Sequence, residues 1–161
     1  SESMVPTLEI GQRVLANRIG MHFGDPERGD IMVFKPPAGA EESLCGVQHT
    51  SRQPCPVSTE GKSEQNYIKR VVGLPGDRLA IKLGRVYIDG KLQKEPFIKP
   101  DTGCELCNMT EEIVIPEDQY YMVGDNRGGS SDSRKWGPVP RDNFIGRAFA
   151  TYWPPSDWGR L

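Results

Sequence analysis

A chain of 161 residues supports one domain, or one core with a modest insertion, and is long enough to bury a sizeable interior. Its 20 basic and 22 acidic residues are mixed without a Lys/Arg cluster, which leaves no electrostatic footprint for nucleic acid. No apolar run approaches the about 18–20 residues of a membrane span, and the polar opening Ser1-Glu2-Ser3 is not a signal peptide. Composition leaves two readings, a soluble protein or a chain separated from an anchor.

In chain order, residues 1–8 are short of any helical period and contain Pro6. Residues 12–18 alternate loosely, as a strand would. Arg28-Gly29-Asp30 predicts a turn into Ile31-Met32-Val33-Phe34, a β-prone run that Pro36-Pro37 ends. Residues 38–66 form a long polar loop, of a length usually found in insertions or functional segments. Residues 67–72 are aromatic and β-branched, so they read as a strand running into the turn Gly73-Leu74-Pro75-Gly76. Residues 77–83 continue in β character. Arg85-Val86-Tyr87-Ile88, Asp89-Gly90 and Lys91-Leu92 carry the Asp-Gly signal of a two-residue hairpin.

Residues 95–110 read as irregular. Residues 112–115 and 119–123 are expected strands on either side of Pro116, and residues 124–140 are expected as loop. A turn near residues 141–144 is the one hint of helical spacing, and residues 147–153 make a last strand. No internal repeat occurs. The sum is an all-β domain of antiparallel sheets, barrel-like or folded, with Trp153 expected in its core. Residues 1–83 and 119–161 are expected to form that core, with 84–118 an inserted hairpin subdomain.

Cys45, Cys55, Cys104 and Cys107 allow three pairings, of which Cys45–Cys55 with Cys104–Cys107 is the most local. Cys104-Glu105-Leu106-Cys107 reads equally as a redox pair, half a zinc site or a tight structural disulfide. Zinc asks for a second close-spaced ligand pair, which Cys45, His49 and Cys55 match poorly, so no metal is expected. Disulfides would imply an oxidising compartment.

On the strand at 67–72, Tyr67, Lys69 and Val71 share one face and Ile68, Arg70 and Val72 the other. A lysine flanked in this way loses water, and desolvation carries its pKa from about 10.4 toward neutrality. Such a lysine is a base. On this stretch alone, the alternative is a lysine snorkelling at a sheet edge. Competing bases are few: of the two histidines, His22 and His49, neither stands beside a motif-like group. No Gly-x-Ser-x-Gly elbow occurs, and no serine has a lysine three residues on. An activated serine here would use a lysine, and Lys69 has the best apolar flanks.

Four stretches together resemble the signature blocks of type I signal peptidases. They are Ser1-Glu2-Ser3-Met4-Val5-Pro6-Thr7-Leu8, Arg28-Gly29-Asp30-Ile31-Met32-Val33-Phe34, Tyr67-Ile68-Lys69-Arg70-Val71-Val72-Gly73-Leu74-Pro75-Gly76-Asp77, and Gly124-Asp125-Asn126-Arg127-Gly128-Gly129-Ser130-Ser131-Asp132-Ser133-Arg134. Their order and spacing fit as well, so the resemblance runs from the first residue to about Thr151, apart from 38–66 and 84–118. It implies a membrane-anchored serine endopeptidase with a Ser/Lys dyad, acting outside the cytoplasm and needing neither metal nor cofactor. Its partners would be signal-peptide-bearing preproteins, with small residues one and three places before the cut, and a membrane surface.

Carried over by position, the resemblance makes Ser3 the nucleophile and Lys69 the general base. The Ser1 hydroxyl and the Ser3 N–H would receive the oxyanion. Ser130 would hydrogen-bond and orient the lysine, Asp132 and Arg134 would brace the loop, and Phe34, Tyr67 and Met122 would keep the lysine dry. Met4, Leu8, Val33 and Ile68 would line shallow substrate pockets. Taken singly, Ser3 reads as a solvated terminus, Ser130 as a turn residue and Asp132 with Arg134 as a surface pair. The family carries a membrane span and a substrate-contacting strand ahead of the nucleophile block. Both are expected to precede Ser1 in the intact protein, and the chain as it stands is expected to be weakly active or inactive. Trp158 is read as a membrane-facing residue. Two rivals remain, a non-catalytic peptide-binding β-domain and a self-cleaving repressor-type Ser/Lys protease, which would need a helix-turn-helix and an internal cleavage site.

Overall fold

Most strands of this chain form where apolar and polar residues alternate, and the alternation decides which core each one faces. A computed structural model describes residues 1–22 and 24–161; the His22 side chain lies outside the described residues. In chain order the strands are β1 (Arg13–Asn17), β2 (Ile31–Phe34), β3 (Tyr67–Gly73), β4 (Arg78–Lys82), β5 (Arg85–Ile88) and β6 (Lys91–Leu92). They continue with β7 (Met109–Val114), β8 (Gln119–Val123), β9 (Val139–Pro140), β10 (Phe144–Trp153) and β11 (Gly159–Arg160). A four-residue helix, α1 (Ser133–Trp136), interrupts what reads as loop, started by the Asp132 carboxylate accepting from the Arg134 N–H.

The strands form two antiparallel sheets, one ordered β1-β10-β2-β3-β8-β9 with β11 also on β10, the other β6-β5-β4-β7. The all-β expectation holds, and neither sheet closes on itself among the described residues. Asp89 and Gly90 turn β5 into β6 with positive φ at both positions, the two-residue turn that Asp-Gly favours. Leu83 and Gly84 make the same kind of turn between β4 and β5. Leu83 is therefore a turn residue rather than part of a strand. The smaller sheet begins at Arg78, so β4 belongs with it and not with the 1–83 core.

Three apolar clusters result. Val72 of β3 joins Leu79, Ile81, Val86 and Tyr121 between the sheets. Val71, on the opposite face, joins Met32, Phe34, Met122 and Trp136, with Tyr67 packed alongside. Met4, Leu8, Ile31 and Ala148 form the third, against which Ile68 packs. The alternation read at 67–72 is thus the alternation observed. Trp153 corrects an expectation: it is 49% exposed, and Trp158 is 76% exposed. Along β10 the buried positions go to Gly146, Ala148, Ala150 and Thr151, and the bulky residues of its end are exposed.

The cysteines pair locally, Cys45 with Cys55 and Cys104 with Cys107. Ile81, fully buried in the cluster between the sheets, tests how far that core holds the domain together. Ile81→Ala is expected to lower the unfolding free energy by about 2–5 kcal/mol, read as a fall in the urea midpoint at unchanged slope.

Candidate active site

Lys69 sits midway along β3, opposite Met32 of β2. Its Nζ stands 2.5 Å from Ser3 Oγ and 5.7 Å from the centre of the Tyr67 ring. Both polar residues are buried, Lys69 at 5% exposure and Ser3 at 4%. Burial pushes the amine down, from 10.5 to about 8. The Asp132 charge works against that, Arg134 works with it, and Asp125 again opposes it. Near pH 8 a large share of this amine is neutral, and it lies within hydrogen-bonding distance of the serine hydroxyl. Such a pairing has the geometry that a base and a nucleophile require.

Ser3 is held by a single 3-10 turn, Glu2–Met4, which Ser1 caps. Asn126 fixes the turn from outside: its backbone N–H donates to the Ser3 carbonyl at 3.0 Å, and its side-chain amide to the Glu2 carbonyl at 3.2 Å. Ser1 Oγ accepts from the Ser3 N–H at 3.3 Å and donates to Ser3 Oγ at 3.1 Å. The two groups expected to receive an oxyanion therefore face one another.

The loop of residues 124–134 lies beside the pair. Arg134 donates to both oxygens of Asp132 at 2.8 Å, with both residues fully buried. Burial pushes the Asp132 carboxyl up, but the Arg134 charge and its hydrogen bonds win and hold it below the ordinary carboxylate range. The surface-pair alternative is therefore excluded. Ser130 Oγ is buried without a hydrogen bond of ordinary geometry, so the expected bond to Lys69 is not made. Phe34, Met122 and Tyr67 lie in one apolar cluster on the lysine's face of β3.

A cleft of about 570 Å³ opens over Ser3 and Lys69, lined also by Gln65, Asn66, Gly129 and Ser131. A smaller hollow of about 230 Å³ shares Ser1, Asn66, Tyr67 and Ile68 with it, and includes Met4, Leu8 and Val33. All four residues expected to shape substrate pockets come together there. Elsewhere, Cys45, His49 and Cys55 bring their donor atoms within 4.8 Å, but the two sulfurs are bonded to each other.

The serine and the lysine lie together under this cleft, and comparison with known proteins gives the lineage. The family model described as signal peptidase, peptidase S26, matches residues 1–153. The chain belongs to that family. Among similar signal peptidases, a probable signal peptidase I-2 of Synechocystis is 37% identical over all of this chain and 64% of its own length. A signal peptidase I of Leptolyngbya laminosa is 41% identical over all of this chain and 70% of its own. A thylakoidal processing peptidase 1 of Arabidopsis thaliana is 34% identical over 97% of this chain and 41% of its own. The chain thus spans only part of the length of these relatives. A solved signal peptidase I from Enterococcus faecalis V583 aligns with 77% of this chain and 97% of that one, at 24% identity and a TM-score of 0.49.

Several residues that brace this site are not singled out by the sequence reading. Arg70, on the face opposite Lys69, grips Asp125 with two bonds of 2.8 and 2.7 Å and also donates to the Gly29 carbonyl. Thr7 donates to the same carboxylate at 2.5 Å, tying the nucleophile's segment to the loop. The available signal was the even spacing of Arg70, which puts a second cation next to the lysine and facing away from it.

Gly124 is wedged between the two functional segments. A Cβ there would overlap Ser130 Oγ and stand 2.5 Å from the Ser3 carbonyl oxygen. Gly124→Ala is expected to cut turnover by about 10²-fold through displacement of Ser3, with cooperative thermal unfolding retained. Turnover within a few-fold of the parent would show that this contact does not set the geometry.

Proposed function

We propose that this chain is the catalytic part of a serine endopeptidase that removes N-terminal signal peptides from exported preproteins by a Ser/Lys dyad. The observation that carries the reading is the buried amine of Lys69, 2.5 Å from the Ser3 hydroxyl. Neutral Lys69 takes the Ser3 proton as Oγ attacks the scissile carbonyl. The ammonium so formed returns that proton to the leaving amine, and the ester on Ser3 remains. The neutral amine then takes a proton from water, the hydroxide attacks the ester, and Ser3 leaves with the proton. Each step uses groups of this chain and water.

The oxyanion would be received by the Ser3 N–H and, after rotation about its Cα–Cβ bond, by the Ser1 hydroxyl. An extended substrate has an edge to pair with. β2 covers β3 from Tyr67 to Arg70, but β8 joins it only from Arg70 onward, which leaves the other edge of Tyr67–Lys69 unpaired by β8. The hollow walled by Met4, Leu8, Val33 and Ile68 would accept small side chains and exclude large ones.

The same reading places the cleft on the extracytoplasmic side of a membrane. No helix of the described residues is long and apolar enough to cross one. Support comes from the surface: Phe149, Trp153 and Trp158 are exposed, with Leu15 exposed on the neighbouring β1. Aromatic residues of this kind favour the boundary between lipid and water.

The test is cleavage, by the intact protein, of a peptide with alanine one and three places before the cut. The proton on Lys69 blocks the reaction, so the rate should climb about tenfold per pH step in acid and reach half its plateau near pH 8. Lys69→Ala and Ser3→Ala should each lose about 10²–10⁴-fold. A rate flat from acid to alkaline pH, or full activity in Lys69→Ala, would refute the dyad and leave a peptide-binding domain.

A further inference from the structure

Residues 95–99, beyond the hairpin of the smaller sheet, meet the loop of residues 124–134 at three points. The Glu95 carboxylate grips Arg127 with bonds of 2.6 and 3.0 Å and accepts from the Val86 N–H of β5. Both partners are buried. Arg127 also donates to the Gly84 carbonyl at 2.7 Å, in the turn before β5, and to the Gly124 carbonyl at 3.1 Å. Lys99 exchanges backbone hydrogen bonds with the same loop, its N–H to the Asp125 carbonyl and its carbonyl from the Arg127 N–H. The Phe97 ring lies 3.7 Å from the Arg70 guanidinium, whose other face of contacts is the Asp125 carboxylate.

All three contacts end on residues 124–127 or on their partner Arg70. Those residues are the ones that touch the nucleophile: Gly124 abuts the Ser3 carbonyl, and the Asn126 N–H donates to it. The Arg127 carbonyl in turn accepts from Arg134, which holds Asp132. The smaller sheet contributes no atom to the cleft over Ser3 and Lys69. Much of its polar hold on the site runs through this segment, with the Gly84 and Leu106 carbonyls adding one bond each.

We propose that residues 95–99 are a clasp that sets the loop of residues 124–134 against Ser3 and Lys69, with Glu95 a positioning residue for the reaction. The clasp as a catalytic device rests on the dyad reading above. A carboxylate suits the task because two oxygens can hold the planar Arg127 fork in one orientation while a third bond anchors them to β5. Removing it leaves a buried guanidinium without its counter-charge, and the loop it supports loses its fixed register. The residues of the substrate hollow, Met4, Leu8, Val33 and Ile68, lie outside the loop. Of the loop only Gly129 and Ser131 line the larger cleft, so loosening the clasp acts more on turnover than on substrate binding.

Two measurements on Glu95→Gln and Glu95→Ala of the intact protein decide the matter. Amide hydrogen exchange at Gly124, Asn126 and Arg127 should speed up about tenfold or more while β2 and β10 keep their protection. Turnover of a signal-peptide substrate should fall about 10–100-fold with KM within about twofold, and Glu95→Gln, which keeps one acceptor oxygen, should be the milder variant. Should Glu95→Ala not fold, Glu95→Gln carries the test alone. Unchanged exchange in the loop overturns the clasp. Faster exchange with unchanged kcat overturns the positioning role. Absence of any Lys69-dependent cleavage in the parent protein defeats the dyad reading instead, while the exchange rates still decide whether the segment holds the loop.

Discussion

The arrangement rests on making one amine, set next to one hydroxyl, easier to deprotonate. Bringing Lys69 from its ordinary 10.5 to about 8 corresponds to about 3 kcal/mol against the charged form. Burial supplies that effect, and two nearby carboxylates, Asp132 and Asp125, oppose it. Left unpaired, either would recharge the lysine. Asp132 is instead bonded to Arg134 and Asp125 to Arg70, so their negative charge is spent on partners that face away from the amine or share its pocket. Lys69, Ser3 and the ion pairs around them are therefore one electrostatic arrangement.

The three buried arginines, Arg70, Arg127 and Arg134, do more than neutralise acids. Between them they donate to the backbone carbonyls of Gly29, Gly84, Leu106, Gly124, Arg127 and Ser130. These carbonyls belong to turns and loops, and buried ones need donors from outside the sheet ladders. A planar guanidinium with five N–H donors can serve several loops at once. The irregular segments around Ser3 are fixed by side chains where the strands are fixed by each other. Taking away one partner of such a buried pair is costly, about 3–5 kcal/mol, which ties the site's geometry to the fold's stability.

Much of this was legible before any coordinates. The strand at 67–72 is visible because β-branched and aromatic residues alternate there, and the same alternation separates Lys69 from Arg70 and assigns each to its own core. The Asp89-Gly90 hairpin is visible because few residues accept two positive φ angles. Illegible features have physical reasons as well. The helix Ser133–Trp136 is four residues long, too short for any apolar period, and depends on the Asp132 cap. Trp153 reads as core by size, yet the buried positions of its strand are Gly146, Ala148, Ala150 and Thr151, and the strand's last two residues lie exposed beyond them. Glu95 and Arg127 are 32 residues apart, Arg70 and Asp125 are 55 apart, and no local spacing connects such pairs. Ser130 is buried close to Asp132, whose carboxyl it helps hold down, and no position-by-position reading of the sequence shows that neighbour.

The most direct test is to watch the amine itself. With the lysine side chains isotopically labelled and the Lys69 resonance assigned by comparison with Lys69→Arg, an NMR titration of its ε-carbon reports the protonation midpoint without reference to any reaction. The account predicts a midpoint near 8, well apart from the other lysines. A midpoint near the ordinary 10.5 would mean that burial does not lower the Lys69 amine toward the working range of a base, and the central claim would fall.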